Sequence, residues 1–177
     1  SLGLVVVLVG GIYILPQTGV QKRIDTSLTN LHIYLDSENV NDAARSNSVG
    51  SRLEMWKAAW LIFVDHPIIG VGWGGYSQKA QELVNKGDIN AIASKFYHPH
   101  NQYLSALAKS GLIGLIVIII FYYLQAFVFS LCIRGSRQSE VHRLSLAGLI
   151  LVVGFASFGL TEAVLERSKP VIFYAFY

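Results

Sequence analysis

The stretch "SGLIGLIVIIIFYYLQAFVFSLCI", Ser110–Ile133, decides the fold, because no charged residue occurs in its 24 positions. An α-helix needs about 20 apolar residues to cross the hydrocarbon core of a bilayer, so this run is long enough to span it. A second uncharged run, Leu144–Thr161, has 18 residues. Hydrophobic residues make up 53% of the chain and charged residues 14%, which is too apolar for an ordinary soluble domain. We therefore predict an all-α, polytopic helical membrane protein.

Apolar segments also begin and end the chain. The first segment lacks a basic start and a small-residue cleavage site, so we do not interpret it as a signal peptide. Because the chain starts and stops inside such segments, we expect it to be the C-terminal portion of a larger protein. The predicted membrane segments are a partial transmembrane helix at 1–15, transmembrane helices at 110–133 and 144–161, and the start of another at 170–177.

The charges of the connecting segments predict the orientation. The short loop 134–143 carries three arginines and one glutamate, and short basic loops stay on the cytoplasmic side. It follows that 16–109 is a large periplasmic loop with interfacial helices, and that 162–169 is a periplasmic turn. His100 and Glu162 are then expected on the same face of the membrane.

One helix of the periplasmic loop is predicted from "SRLEMWKAAWLIFVDHP", Ser51–Pro67. Ser51 and Glu54 fit a capping box, which starts a helix, and the two tryptophans suit a helix that lies in the membrane interface. Arg52 would then lie in the first turn, where a guanidinium and free backbone N–H groups can bind one phosphate. A solvated arginine on an exposed face is the alternative.

A second helix start is predicted at "HPHN", residues 98–101. Asn101 is a good N-cap, so we expect a helix from Gln102 onward. His98 and His100 precede it, and an imidazole, which titrates near neutral pH, can accept a proton from a hydroxyl nucleophile. The two imidazoles could instead share a metal ion if a third ligand joined them, or lie in a polar turn bonded to the backbone.

Several other functions are disfavoured by the residue pattern. The glycine-rich stretch "GVGWGGY", Gly70–Tyr76, follows a predicted helix instead of a strand, which favours a tight turn between helices over a dinucleotide-binding loop. A net charge of +3 without a Lys/Arg cluster predicts no nucleic-acid partner. A non-enzymatic transporter segment is a distant alternative, because transporters place ionisable residues at mid-membrane and the uncharged runs contain none.

His100 and Asn101, nine intervening residues and "GLIG" at 111–114 resemble the motif of bacterial O-antigen ligases. The upstream stretch "GSRLEMWKAAWLIFVDHPIIGVGWGGY" and the downstream stretch "GLTEAVLERSKP" also resemble this superfamily of ligases and polymerases. The resemblance covers most of the chain from Gly50 onward. It implies a multi-pass glycosyltransferase of the GT-C type in the bacterial inner membrane, with its active site on the periplasmic face.

The resemblance also implies a reaction. A ligase moves O-antigen polysaccharide from undecaprenyl diphosphate onto a sugar hydroxyl of lipid A-core in lipopolysaccharide biosynthesis, with inversion and without a metal or other cofactor. Membrane lipids are further expected partners, and this portion alone is expected to be inactive. The alternatives within the superfamily are an O-antigen polymerase and a protein O-oligosaccharyltransferase.

The family's functional residues correspond to named positions in this chain. The essential histidine corresponds to His100, and the loop arginine corresponds to Arg52, which would bind the donor diphosphate. Glu162 stands where the family often has a carboxylate, and would hold His100 or bind acceptor hydroxyls. For Arg167, a role in anchoring the span at the headgroups is the alternative to donor binding. The supporting residues are therefore expected to be His98, Asn101, Glu162 and Arg167.

Overall fold

A computed structural model of the protein describes residues 19–36, 47–136, 138–166, 170 and 174. All the regular structure of these residues is helical, and no strand occurs among them, which confirms the predicted all-α class. The chain divides into two units, residues 1–51 and 52–177. Helix α1, Val20–Asp36, lies in the first unit. The predicted membrane segment 1–15, and 170–177 except for residues 170 and 174, lie outside the described residues.

The start of the next helix differs from the sequence prediction. Helix α2 covers Ser48–Asp65, and the side-chain oxygen of Asn47 accepts hydrogen bonds from two N–H groups of its first turn, at 3.0 and 2.7 Å. The predicted capping box of Ser51 and Glu54 is therefore wrong. The asparagine four residues before Ser51 already accepts hydrogen bonds from the first-turn N–H groups. Glu54 is instead buried, and its carboxylate accepts from the N–H of Asn90.

Helices α2 and α3 build the core of the second unit. Helix α3 covers Gly75–Lys86. Buried side chains of both helices belong to one apolar cluster. The hydroxyl of Tyr76 donates to the carbonyl of Met55 at 3.1 Å, so its polar atom is satisfied inside the core. The buried apolar residues are Met55, Ala58, Ala59 and Ile62 of α2, Tyr76, Ala80 and Leu83 of α3, and Ile89, Ala93 and Ala108.

Two long helices follow and form an antiparallel hairpin. Helix α4 covers Gln102–Gly135 and helix α5 covers Ser139–Phe158. The hydroxyl of Tyr103, at the start of α4, donates to the carbonyl of Ala156, near the end of α5, at 2.7 Å. The beginning of α4 and the end of α5 therefore lie at the same end of the hairpin.

Both hairpin helices are long and apolar enough to cross a membrane. Many of their large apolar side chains are exposed, as expected for helices that contact lipid and not water. Gln125, the most polar side chain in this part of α4, accepts a hydrogen bond from the hydroxyl of Tyr174. This contact joins α4 to the segment that contains Tyr174. The predicted class of helical membrane protein is confirmed.

Helix α4 is not straight, because it is interrupted at Gly111, whose φ of 63° and ψ of −157° are not helical. An interruption frees backbone donors and acceptors, which then need other partners. The loop after α2 supplies them. The N–H of Val71 donates to the carbonyl of Ala108 at 3.0 Å, and the N–H of Leu112 donates to the carbonyl of Pro67 at 2.8 Å. This glycine-rich loop therefore joins α2 to α4 through backbone hydrogen bonds.

Candidate functional site

Four of the predicted site residues lie together where the segment before α4 meets the segment after α5: His98, His100, Asn101 and Glu162. The closest contact joins His100 Nδ1 to Glu162 Oε1 at 2.7 Å. The hairpin explains this meeting, because one residue immediately precedes α4 and the other follows α5. The side chains of His100 and Glu162 are 18% and 32% exposed, so the pair is shielded but a substrate can still reach it.

The contact determines which imidazole nitrogen of His100 can act as a base. An ionised carboxylate only accepts hydrogen bonds, so Nδ1–H of His100 is the donor to Glu162. In a neutral imidazole the other nitrogen, Nε2, then carries the lone pair and can accept a proton. A carboxylate in this position also stabilises the imidazolium that results. The pair therefore has the two parts that a histidine general base needs.

His100 adopts an unusual backbone conformation. Its φ of 49° makes it the one residue other than glycine with a positive φ in the described part of the chain. Left-handed backbone costs an L-residue about 1–2 kcal/mol, so such a residue persists where the surroundings hold it in place. Asn101 follows with an extended φ of −156°, and α4 begins directly after it. The strained turn thus allows the helix to begin while the imidazole of His100 reaches Glu162.

His98 packs against His100 and supports its backbone. Nδ1 of His98 accepts a hydrogen bond from the backbone N–H of His100 at 3.3 Å. Burial lowers the pKa of His98 below its ordinary value, and a charge on His100 lowers it further. A neutral imidazole is also what the hydrogen bond requires, because an imidazolium nitrogen cannot accept.

Asn101 joins the start of α4 to the segment that carries Glu162. Its side-chain oxygen accepts from the N–H groups of Tyr103 and Leu104, both at 3.0 Å, so the predicted N-cap is observed. Its side-chain amide donates to the carbonyl of Leu160 at 2.9 Å. One buried side chain therefore fixes both the helix end and the approach to Glu162.

Arg52 lies in the second turn of α2, because the helix begins at Ser48 and not at Ser51. The predicted placement of Arg52 in the first turn is wrong, and Asn47 binds two of the N–H groups expected beside it, whereas phosphate binding by Arg52 itself stays a prediction. Arg52 is half-buried and makes no hydrogen bond or ion pair with the residues that the structure describes. The structure records no contact between Arg52 and His100.

An indirect connection does relate α2 to the histidine segment. The indole N–H of Trp56 donates to the carbonyl of Pro99, the residue before His100, at 2.9 Å. Arg52 and Trp56 are four residues apart, so they lie one turn apart on the same face of α2. The face of α2 that carries Arg52 is therefore the face that contacts the histidine segment. Trp56 is not the interfacial residue that its sequence context suggested, whereas Trp60 is 53% exposed.

A row of polar residues on α4 was not predicted from the sequence. Lys109 Nζ and Glu166 Oε2 form an ion pair at 2.5 Å, with side chains only 5% and 8% exposed. Ser105 donates to the other oxygen of Glu166, and Gln102 Oε1 accepts from the N–H of Leu165 at 2.8 Å. The signal for the row was helical spacing, since positions 102, 105 and 109 share one face. Nothing in the sequence identified Glu166 as their partner.

A groove of about 190 Å³ lies beside this polar row. One end of the groove is lined by Lys109 and the exposed indole of Trp73. The centroid of the indole ring is 5.3 Å from Lys109 Nζ. The other end is lined by Val117 and Ile118, from the apolar part of α4. The groove therefore passes from a charged end to an apolar end along the helix.

Arg167 lies outside the described residues. For the metal alternative, no group of three or more histidine, cysteine, aspartate or glutamate side chains able to hold an ion occurs among the residues described. His98 and His100 instead contact each other and the groups already named.

Comparison with known proteins gives an independent result. A sequence profile of the family described as O-antigen ligase matches residues 1–119. An O-antigen ligase of Escherichia coli K12 is 25% identical over 175 residues, which are 97% of this chain and 38% of that protein. A protein of Haemophilus influenzae Rd, described as uncharacterized, is 27% identical over 159 residues, 90% of this chain and 38% of that protein. The chain thus spans 38% of the length of each of these relatives.

Proposed function

The chain belongs to the O-antigen ligase family, and on that premise we propose that the complete protein transfers a glycan from undecaprenyl diphosphate to lipid A-core. In this reaction a sugar hydroxyl of the acceptor attacks the anomeric carbon. The bond from that carbon to the diphosphate oxygen breaks, and the diphosphate leaves with the electron pair. Attack from the face opposite the leaving group inverts the anomeric centre. The product is O-antigen-bearing lipopolysaccharide.

The contact between His100 and Glu162, at 2.7 Å, is the observation that carries the proposal. A sugar hydroxyl is a weak nucleophile at neutral pH and needs a base to take its proton as the bond forms. Nε2 of His100 is the nitrogen that can do so, because Nδ1 donates to the carboxylate. Glu162 fixes the tautomer and orientation of the ring and stabilises the charge it acquires.

Arg52 is proposed to bind the donor diphosphate. A guanidinium matches phosphate oxygens in bidentate geometry and stabilises the negative charge that grows on the leaving group. Two observations support this role: the absence of a hydrogen bond or ion pair to Arg52 within the described residues, and its place one turn from Trp56, which binds Pro99. These observations support a guanidinium that is available to a substrate, on the helix that also contacts the segment of the proposed base.

The lipid substrates fit the position of the site. The donor and the acceptor are both anchored in a membrane, and His100 lies at the start of the helix whose later part is long and apolar enough to cross one. We place the site on the periplasmic face of the bacterial inner membrane, because the loop at the other end of the hairpin carries Arg134 and Arg143, and short basic loops stay cytoplasmic.

The decisive experiment uses the complete protein that contains this sequence, reconstituted in vesicles. The vesicles receive glycan linked to undecaprenyl diphosphate together with lipid A-core, and gel electrophoresis follows the glycan. His100→Ala is expected to lower turnover roughly 10²- to 10⁴-fold, the usual contribution of a general base. His66→Ala is the matched control, because His66 is exposed, and it should turn over at the wild-type rate.

The product identifies the acceptor. Glycan attached to lipid A-core supports the ligase function. Longer carrier-linked glycan, with none on lipid A-core, would instead identify a polymerase. Wild-type turnover by His100→Ala would remove the assignment of the base whichever acceptor was used.

A further inference from the structure

We propose that Glu166 and Lys109 are positioning residues, which hold Glu162 at the distance from His100 that the reaction needs. This inference rests on the proposed function of the His100–Glu162 pair and adds residues that the family resemblance does not assign. The observation behind it is that the segment after α5 is fixed to one face of α4. We call that face, together with the N-cap residue Asn101, the anchor face; its members are Asn101, Gln102, Ser105 and Lys109.

The anchor face holds the segment on both sides of Glu162. Before Glu162, the side chain of Asn101 donates to the carbonyl of Leu160 at 2.9 Å. After Glu162, the side chain of Gln102 accepts from the N–H of Leu165 at 2.8 Å. The backbone N–H of Gln102 also donates to the carbonyl of Gly159 at 2.7 Å. The segment that carries Glu162 is therefore held at both ends by the residues directly after His100.

The ion pair completes the attachment. Glu166 lies four residues after Glu162 and binds Lys109 at 2.5 Å, while Ser105 donates to its other carboxylate oxygen. Both charged side chains are almost fully buried, so water does not screen the attraction between them. Buried charges are usually retained where they fix a conformation, because an apolar pair often stabilises a protein as well or better. The Lys109–Glu166 pair is therefore suited to fixing the position of the segment after α5 against α4.

The place of the ion pair in the fold indicates which geometry it sets. His100 lies just before α4, and Lys109 lies further along the same helix, at the far end of the anchor face. Glu162 and Glu166 are the corresponding positions on the facing segment, so each carboxylate meets a partner from the same stretch of chain. If the Lys109–Glu166 contact is lost, the segment can move relative to α4, and Glu162 then moves relative to the imidazole.

A double-mutant cycle in the complete protein tests this coupling. Glu166→Gln is expected to lower kcat roughly 10- to 100-fold with an unchanged KM for the carrier-linked glycan, because a small misplacement of a catalytic group has effects of that size. In the Glu162→Gln background the same substitution should lower kcat less than about twofold, because the carboxylate it positions is already absent. A merely structural role would give equal losses in both backgrounds.

Two further variants keep the test informative if Glu166→Gln folds poorly. Lys109→Arg retains the charge that pairs with Glu166 and should keep more of the wild-type kcat than Glu166→Gln does. The double variant Lys109→Met with Glu166→Leu leaves no lone buried charge and should fold, yet it should lose kcat like Glu166→Gln. Glu82→Gln is the matched control, because Glu82 pairs with Lys79 at 2.8 Å on the surface, with exposures of 43% and 38%.

The results separate this inference from the proposed function. Additive losses in the cycle, or wild-type kcat in the Met/Leu double variant, would overturn the positioning role while leaving the His100 base intact. Wild-type turnover by His100→Ala would instead remove the proposed function. A large rise in KM at constant kcat would assign Lys109 and Glu166 to substrate binding and overturn the inference.

Discussion

The imidazole rings of His98 and His100 meet edge to face, with centroids 4.6 Å apart and planes inclined by 69°. Burial lowers the pKa of His98 below its ordinary value of 6.5, and the neighbouring His100 lowers it further. Lys109 acts in the same direction, whereas Glu166 and Glu162 oppose the shift. The neighbour of the proposed base is therefore kept neutral near pH 7.

The lowered pKa of His98 predicts how stability depends on pH. The folded state binds fewer protons than the unfolded state between the lowered pKa and 6.5, so the free energy of unfolding falls as the pH falls through this window. His98→Gln should therefore lose less thermal stability than the wild type between about pH 7.5 and pH 5.5. The matched control is His142→Gln, at an exposed histidine, which should keep the wild-type dependence. If thermal stability depended on pH in the same way for the wild type and for His98→Gln, the prediction would be contradicted.

The positive φ of His100 predicts a difference in stability between two substitutions of this residue. His100→Ala and His100→Gly both remove the contact with Glu162, but only glycine adopts a φ of 49° without strain. His100→Gly should therefore be more stable than His100→Ala by about 1 kcal/mol. Thermal unfolding of the two purified proteins in the same detergent measures the difference. Equal stabilities would show that the turn relaxes when the imidazole is absent.

The hydrogen bond from Trp56 to Pro99 predicts that α2 affects the position of His100. Trp56→Phe keeps an aromatic ring but removes the indole N–H, and a partly buried hydrogen bond of this kind contributes about 1 kcal/mol. If that energy positions the base, kcat should fall roughly fivefold. The control is Trp60→Phe at a tryptophan that is 53% exposed, for which no change is expected. Equal kcat values for the two variants would show that Trp56 does not support the site.

The helical class and the meeting of His100 with Glu162 were predictable for identifiable physical reasons. A charge-free run of bilayer length can form only a helix in lipid, so the hairpin helices were predictable from Ser110–Ile133 and Leu144–Thr161. The N-cap at Asn101 was predictable because a short polar side chain stood before an apolar run. The meeting of His100 with Glu162 follows from connectivity, since residues that flank an antiparallel hairpin lie at the same end.

Other features depend on tertiary contacts that local patterns do not contain. The start of α2 was misplaced because Ser51 and Glu54 fit a capping box as well as Asn47 fits a cap, and only packing buries Glu54. Trp56 resembled an interfacial residue because its partner, Pro99, is 43 positions away. The Lys109–Glu166 pair joins residues 57 positions apart, and in sequence each is one charge beside a membrane segment.

The interruption of α4 predicts unequal effects of two glycine substitutions. Gly111 and Gly72 both have positive φ, 63° and 79°, so alanine is strained at either position. A Cβ at Gly111 would lie 2.3 Å from the backbone of Ile68, whereas a Cβ at Gly72 meets nothing within 4 Å. Gly72→Ala should therefore cost about 1 kcal/mol of stability through backbone strain. Gly111→Ala should cost about 3 kcal/mol, because overpacking against a backbone adds to that strain. Thermal unfolding of the two variants in one detergent compares them, and equal losses would mean that the loop after α2 moves away from α4 without cost.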